Sequence, residues 1–328
     1  MGTRGGVDLG GTKIQAVVLD EADRVIGTSR RPTPTTGGPS EVVAAIAEAM
    51  RDAHRNAGGA GGALAGVGVG SPGAVDSAAG TVTSARNLPG WAGTFPIGAA
   101  LSAELGVPVA LGNDVDVATL SEFQLGAGRP YRSLLGVFWG TGVGGGVVLD
   151  GELWHGRSSA GEIGHMVVKI GGAQCPCGRR GCMEAYAGRG AMEARARKAL
   201  DDGQKTSLFK IMQKRGRQRL TSGVFARALD EGDDLATSLI DRAIEALGAG
   251  VASAVNLLDV EAVIVGGGLG LRLGQPYVER IGQAMLPHLF SDDRPPALRV
   301  AALGDLGGAI GAATLVQGQR AATDSSRS

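Results

Sequence analysis

The chain has no net charge, its 32 lysines and arginines being matched by 32 aspartates and glutamates. That balance removes any general electrostatic case for binding DNA, RNA or a membrane surface. The basic run KIMQKRGRQR at residues 210–219 is expected as a solvated helix face. No stretch reaches eighteen consecutive apolar residues and the N-terminus enters a strand almost at once, so neither a membrane span nor a signal peptide is expected. Cysteine is scarce, three in 328 residues. Reduced thiols in a soluble chain suit the cytoplasm. Also missing is the lysine-bearing phosphate loop, G-x-x-x-x-G-K-[ST].

Glycine is in excess, 57 residues that cluster at particular turns, and this length predicts two domains. The three cysteines are equally concentrated. Cys175, Cys177 and Cys182 lie within eight residues in a turn of Pro176, Gly178, Arg179, Arg180 and Gly181, ten positions after His165. Three thiolates and an imidazole make a closed tetrahedral Zn²⁺ site of the structural kind, with no open position for hydrolysis. A disulfide suits the odd count and the short Cys175–Cys177 spacing poorly. Glu162 and Glu184 bracket the cluster, either as solvated or capping acids or as carboxylates that the metal fixes in place. An imidazole bound to zinc through one nitrogen would offer the other to a ligand hydroxyl.

Near the N-terminus, GVDLGGTKIQAVVLD at residues 6–20 reads as a β-hairpin. Gly10 and Gly11 at its turn permit positive φ and a close approach of backbone N–H groups to an anion, and Asp8 stands where it could hold a magnesium ion. The pattern returns 130 residues later as GVFWGTGVGGGVVLD, residues 136–150, with seven of fifteen positions identical without gaps. Two related domains are expected, each with a glycine-tipped hairpin, facing one another across a cleft and clamping a phosphate chain. Between the hairpins, a helix over 40–56 capped by Ser40 is expected, then a strand at 64–70 ending in the turn Ser71-Pro72-Gly73. Strand ends of this kind are where α/β folds place ligands. Asn87 either starts a turn before Pro89-Gly90 or is a polar group of a site. After a helix at 97–105 and a strand at 107–111, Asp114 opens a helix through 123, as an N-cap or as a carboxylate able to accept a hydroxyl proton.

With these residues in place the chain resembles the ROK family of bacterial sugar kinases and repressors, over nearly its whole length. The resemblance is carried by DLGGTK at 8–13, GND at 112–114, GTGVGGG at 140–146, AGEIGH at 160–165 and CPCGRRGCME at 175–184. It implies a two-domain α/β fold of the actin-like ATPase type, hexokinase-like and ribonuclease H-like, with a cleft between domains. The division expected is 1–116, with a C-terminal helix at 305–318 packing back, and 117–304 with the zinc-binding loop.

The resemblance further implies that Asp114 is the catalytic base and that Gly73, Asn87, Asn113, Glu162, His165 and Glu184 line the sugar. Asp8, Gly10, Gly11, Thr12, Lys13, Thr141 and Gly142 would then serve the nucleotide phosphates, with Gly266, Gly267 and Gly268 near the adenosine. The activity expected is transfer of the γ-phosphoryl group of ATP, with Mg²⁺, to the 6-hydroxyl of a hexose, glucose first. N-acetylmannosamine, N-acetylglucosamine or fructose are the alternative sugars, polyphosphate an alternative donor, and a non-catalytic sugar sensor the alternative class. Repressors of the family carry a DNA-binding segment ahead of the sugar domain, whereas five residues precede the first hairpin here. A homo-oligomer, dimer or tetramer, is expected, with no nucleic-acid or membrane partner. A helix is expected from 307 to 316 and a disordered tail from 323 to 328.

Overall fold

The structure is a computed structural model and describes residues 2–58, 62–85, 88–157 and 159–325. The chain divides into two compact units, Met1–Gly126 with Asp305–Ser328, and Ala127–Gly304. The first boundary falls ten residues beyond 116 because the helix that begins at Asp114 runs unbroken to Leu125. Among the described residues, no helix is long and apolar enough to cross a membrane.

The first unit contains β1 (Thr3–Leu9), β2 (Lys13–Leu19), β3 (Val25–Pro32), α1 (Gly38–Asn56), β4 (Leu64–Ser71), β5 (Ala74–Asp76), β6 (Thr81–Thr83), β7 (Thr94–Phe95), α2 (Ile97–Leu105), β8 (Val109–Asn113) and α3 (Asp114–Leu125). Its main sheet has the order β3-β2-β1-β4-β8, with β1 antiparallel to β2 and parallel to β4. The centre of β1 is covered on both faces. A Cβ on Gly5 would stand 2.6 Å from Met50 Sδ of α1, and one on the next residue, Gly6, 2.0 Å from the Ala309 carbonyl of the C-terminal helix. Successive strand residues face opposite ways, so the two helices lie on opposite sides of the sheet. Glycine at position 6 lets the backbones of helix and strand meet directly.

Helix α1 starts two residues before Ser40. Its N-cap is Gly37 in the left-handed region at φ 85°, and Pro39 occupies the first turn, where a missing N–H costs nothing. The expected strand at 107–111 instead runs from Val109 to Asn113, and Pro108 contributes only its carbonyl, to Val67 N–H.

The second unit contains β9 (Leu134–Trp139), β10 (Val143–Leu149), β11 (Glu152–Leu153), α4 (Glu184–Ala187), α5 (Arg189–Asp201), α6 (Leu208–Lys214), α7 (Ser222–Asp230), α8 (Asp234–Leu258), β12 (Ala262–Gly266), α9 (Gly267–Leu273), α10 (Gln275–Met285) and β13 (Ala297–Val300). Its sheet order, β11-β10-β9-β12-β13, repeats the first unit's, again with an antiparallel hairpin followed by parallel strands. The internal sequence repeat is therefore a repeat of topology. Its hairpins differ in register, however: Leu9 pairs with Ile14, whereas Trp139 pairs with Val143, so the second turn is one residue tighter. Identities on the second strand of the ungapped repeat consequently do not occupy equivalent pairing positions. The last helix, α11 (Gly307–Ser325), returns to the first unit and continues three residues into the segment expected to be a disordered tail.

Candidate active site and metal centre

In the first unit, parallel β1, β4 and β8 bring Asp8, Gly73 and Asn113-Asp114 to the same edge of the sheet. Gly73 follows β4 in the left-handed region, φ 92°, and a Cβ there would approach the Thr83 carbonyl at 2.9 Å. The N-cap of α3 is Asn113 and not Asp114. Asn113 has extended backbone, and its Oδ1 accepts from Val115 N–H at 3.0 Å and Asp116 N–H at 3.3 Å. That cap is worth about 1 kcal/mol. It leaves Asn113 its amide N–H₂ for a ligand, while Asp114 Oδ1 shares the Val115 N–H at 3.0 Å and, among the described residues, Asp114 Oδ2 carries no bond to that turn.

Burial pushes the Asp114 carboxyl up to about 7, and the charge of Asp8 adds to the rise. Asp8 is itself raised by burial; Lys13 pulls it down and Asp305 pushes it further up. Gly308 at the start of α11 closes on Asp8, since a Cβ there would lie 2.9 Å from Asp8 Cγ. Half-buried carboxylates that repel one another are the oxygen-rich setting a hard divalent cation relieves, so these residues fit Mg²⁺.

The turn at Gly10-Gly11-Thr12 is closed by Gly10 N–H to the Lys13 carbonyl at 2.9 Å. Neither Gly10 nor Gly11 uses the positive φ that glycine permits, nor do Gly140 and Gly142. The turn carbonyls are instead turned back. Thr33 donates its hydroxyl to the Gly10 carbonyl at 2.6 Å and its N–H to the Thr12 carbonyl at 3.2 Å, removing two dipoles that would repel an anion.

The second unit repeats the device with different residues. Arg189 N–H donates to the Gly140 carbonyl at 3.1 Å and Gly190 N–H to the Thr141 carbonyl at 3.0 Å. The left-handed residue lies beside the tip, at Gly267 (φ 76°), where a Cβ would stand 2.6 Å from the Trp139 carbonyl. A Cβ on Gly140 would come within 3.8 Å of Gly268 N, so the hairpin tip and the triple glycine of residues 266–268 form one patch. Thr33 and Arg189 are both absent from the sequence reading.

The cysteine loop forms as the spacing suggested. Short bridges Val167–Cys182 and Gln174–Arg180 fold it back on itself, with Gly178 and Gly181 left-handed at φ 90° and 83°. His165, Cys175, Cys177 and Cys182 each present a ligand atom within 4.8 Å of the others. The Cys177 and Cys182 sulfurs are 3.8 Å apart. Zinc–sulfur bonds of about 2.3 Å at a tetrahedral angle put sulfurs about 3.8 Å apart. Burial raises the Cys175 thiol to about 12 and the Arg179 amide lowers Cys177 to about 7. A bound dication would deprotonate all three. The donor set fits zinc.

His165 presents Nδ1 to Cys175 Sγ at 3.8 Å and Nε2 to Glu162 Oε2 at 3.9 Å, so its two nitrogens face the cluster and a carboxylate respectively. Glu184 also reaches Cys175, with Oε1 3.9 Å from its sulfur and Oε2 accepting from Val143 N–H at 2.9 Å. The loop thus gathers Glu162, His165 and Glu184 about the metal position and attaches Glu184 to the strand leaving the phosphate-type hairpin. Asn87 lies outside the described residues.

The ROK family matches residues 4–319. The glucokinase of Halalkalibacterium halodurans is 33% identical over 319 residues, spanning 96% of this chain and 94% of that protein. The N-acetylgalactosamine kinase of a Shewanella strain is 33% identical over 322 residues, spanning 95% of this chain and 96% of its own. Among solved structures, a ROK family glucokinase from Streptomyces griseus in complex with glucose and AMPPNP is 32% identical, with a TM-score of 0.83, covering 97% of this chain and all of that one. A fold of the actin-like ATPase type, a cysteine–histidine cluster fit for zinc and a match over nearly the whole length make this chain a member of the ROK family.

Proposed function

We propose that the chain is an ATP-dependent hexose kinase that phosphorylates the 6-hydroxyl of glucose. The observation that carries this reading is Asp114, a half-buried carboxylate at the start of α3 brought to about 7, where a general base works at neutral pH. In the reaction it takes the hydroxyl proton as the sugar oxygen attacks phosphorus, while the bond between phosphorus and the bridging oxygen breaks with its electron pair leaving on ADP. Mg²⁺ bound near Asp8 would supply charge neutralisation on the phosphates. The repulsion from Asp8 that helps hold up the Asp114 pKa would fall with it.

Sugar binding is assigned to Gly73, Asn87, Asn113, Glu162, His165 and Glu184. With a metal on Nδ1, His165 keeps a neutral ring and donates through Nε2, so one sugar hydroxyl can accept from it and donate to Glu162. The neighbouring N-acetylhexosamine kinases make an N-acetyl sugar the second reading. The choice depends on whether the pocket admits the acetamido group.

ADP release with Mg²⁺-ATP and a panel of glucose, fructose, N-acetylglucosamine, N-acetylgalactosamine and N-acetylmannosamine decides between them. Glucose is expected to give the highest kcat/KM; a panel in which no sugar accelerates ADP release would overturn the reading. Polyphosphate in place of ATP tests the donor.

The hairpin glycines yield a divided expectation. A Cβ at Gly142 would stand 2.2 Å from Glu184 Oε2, so Gly142→Val should displace a sugar-binding residue and weaken both ligands, by about tenfold each. Gly11→Val lies on the other hairpin and should weaken ATP alone. Calorimetry with each ligand checks both, and selective loss of ATP in Gly142→Val would separate Glu184 from the sugar.

A further inference from the structure

A phosphate loop of the common kind supplies a lysine; Lys13 follows the first glycine turn, and the second turn, Gly140-Thr141-Gly142, has none. The second hairpin has a cation of another origin. Arg189, the first residue of α5, donates from Nη2 to Thr141 Oγ1 at 2.5 Å, while its own N–H and that of Gly190 hold the carbonyls of Gly140 and Thr141. Arginine can only donate, so Thr141 Oγ1 is the acceptor in this bond. The one hydroxyl proton of Thr141 is therefore left to be given elsewhere.

Among the described residues, no carboxylate lies within ion-pairing distance of the Arg189 guanidinium; the neighbouring Glu193 is engaged by Arg197, Arg219 and the Leu220 N–H. Burial lowers the Arg189 pKa, Glu193 opposing and Arg219 adding to the drop. A cation so placed gains from an anion close by.

We infer that Arg189 is a nucleotide-positioning residue that holds the phosphate chain of ATP against the Gly140-Thr141-Gly142 tip, directly through its guanidinium and through the oriented hydroxyl of Thr141. This inference rests on the proposed ATP-dependent activity. The planar guanidinium has donors to spare after the bond to Thr141, and a phosphate group accepts two of them in parallel. Main-chain bonds from Arg189 and Gly190 do not depend on the side chain, so truncation should spare the turn itself.

The test is calorimetry of the intact protein with Mg²⁺-AMPPNP, AMP and glucose, for wild type, Arg189→Ala and Arg189→Lys. Arg189→Ala is expected to weaken AMPPNP by roughly 10- to 100-fold, as for loss of a charge-assisted bond, and AMP by less, since AMP lacks the outer phosphates. Glucose affinity and Tm should hold, and Arg189→Lys should recover part of the AMPPNP affinity. Equal AMPPNP affinities for wild type and Arg189→Ala would overturn the inference while leaving the kinase reading intact. Parallel losses for AMPPNP, AMP and glucose, or a fallen Tm, would overturn it by marking Arg189 as structural. A wild-type protein that binds no AMPPNP would overturn both.

Discussion

Asp114→Asn is expected to lower kcat by about 100-fold or more while leaving the protein more stable than the wild type above neutral pH. The first half follows from the role proposed for Asp114 as acceptor of the hydroxyl proton; because Asn113 supplies the helix cap, the variant keeps α3 intact. Sugar affinity should survive. The second half follows from linkage. The carboxyl stands at 3.8 in the unfolded chain and at about 7 in the fold, so between those values the folded state holds the extra proton. Stability is then fully present below pH 3.8 and is lost as pH rises toward 7. The corresponding free energy is a few kcal/mol, and asparagine does not titrate. The Tm advantage of Asp114→Asn should therefore grow from pH 4 to pH 7 and level off beyond. In the wild type, kcat/KM should climb with pH and flatten above about 7, when the base is ionised. Near-normal turnover in a folded Asp114→Asn protein would remove Asp114 from the chemistry.

Removing the zinc should raise the sugar KM by tenfold or more and lower Tm by about 10 °C or more. Structural zinc contributes about 10–16 kcal/mol in small metal-dependent folds, against about 5–15 kcal/mol for the whole stability of a native protein. Even a net loss of ~3–5 kcal/mol moves Tm by roughly 10 °C in a domain of this size. Main-chain bonds such as Cys175 N–H to the Arg179 carbonyl and Gly181 N–H to the Ala173 carbonyl shape the loop, and the metal would add the tie that draws its three thiols and His165 together. With the metal gone, His165 is free to turn, Glu162 loses its neighbour, and Glu184 loses the ordered Cys175 beside it. Chelation and Cys177→Ser should both show this, with zinc measured by elemental analysis. Protein purified without zinc, or a zinc-free form with wild-type sugar affinity and Tm, would deny the metal this role. Phosphoryl transfer itself should not require it, because four protein ligands leave no open position.

Features carried by neighbours in sequence were legible. Three cysteines in eight residues and a histidine ten positions earlier can meet only by folding one loop, and they do. The repeated hairpins pointed to two related domains, and the two sheets share one strand order. Choices between chemically similar residues were not legible: asparagine and aspartate cap helices about equally well, and only the extended backbone of Asn113 decides between it and Asp114. The one-residue difference in hairpin register is hidden for the same reason, since Gly/Val strands look alike wherever they pair. Thr33 and Arg189 were invisible because they act on backbone carbonyls remote in sequence, and no motif spacing reports such a contact.

The return of α11 to the first unit has a consequence for biosynthesis. Gly6 and Gly68 lie bare against the carbonyls of Ala309 and Ala312, so β1 and β4 are uncovered at these positions until α11 arrives, whereas Gly70 already faces Val117 of α3. Ribosomes deliver these segments in the reverse of the useful order, β1 at the start and α11 some three hundred residues later. At 5–20 residues per second, the sheet waits roughly 15–60 s with these positions open. The intervening unit, Ala127–Gly304, is complete before that and can fold first. A chain stalled near residue 304 should thus carry a protease-resistant second unit and a protease-sensitive, chaperone-binding first one, with protection of the N-terminal strands appearing only when α11 has emerged.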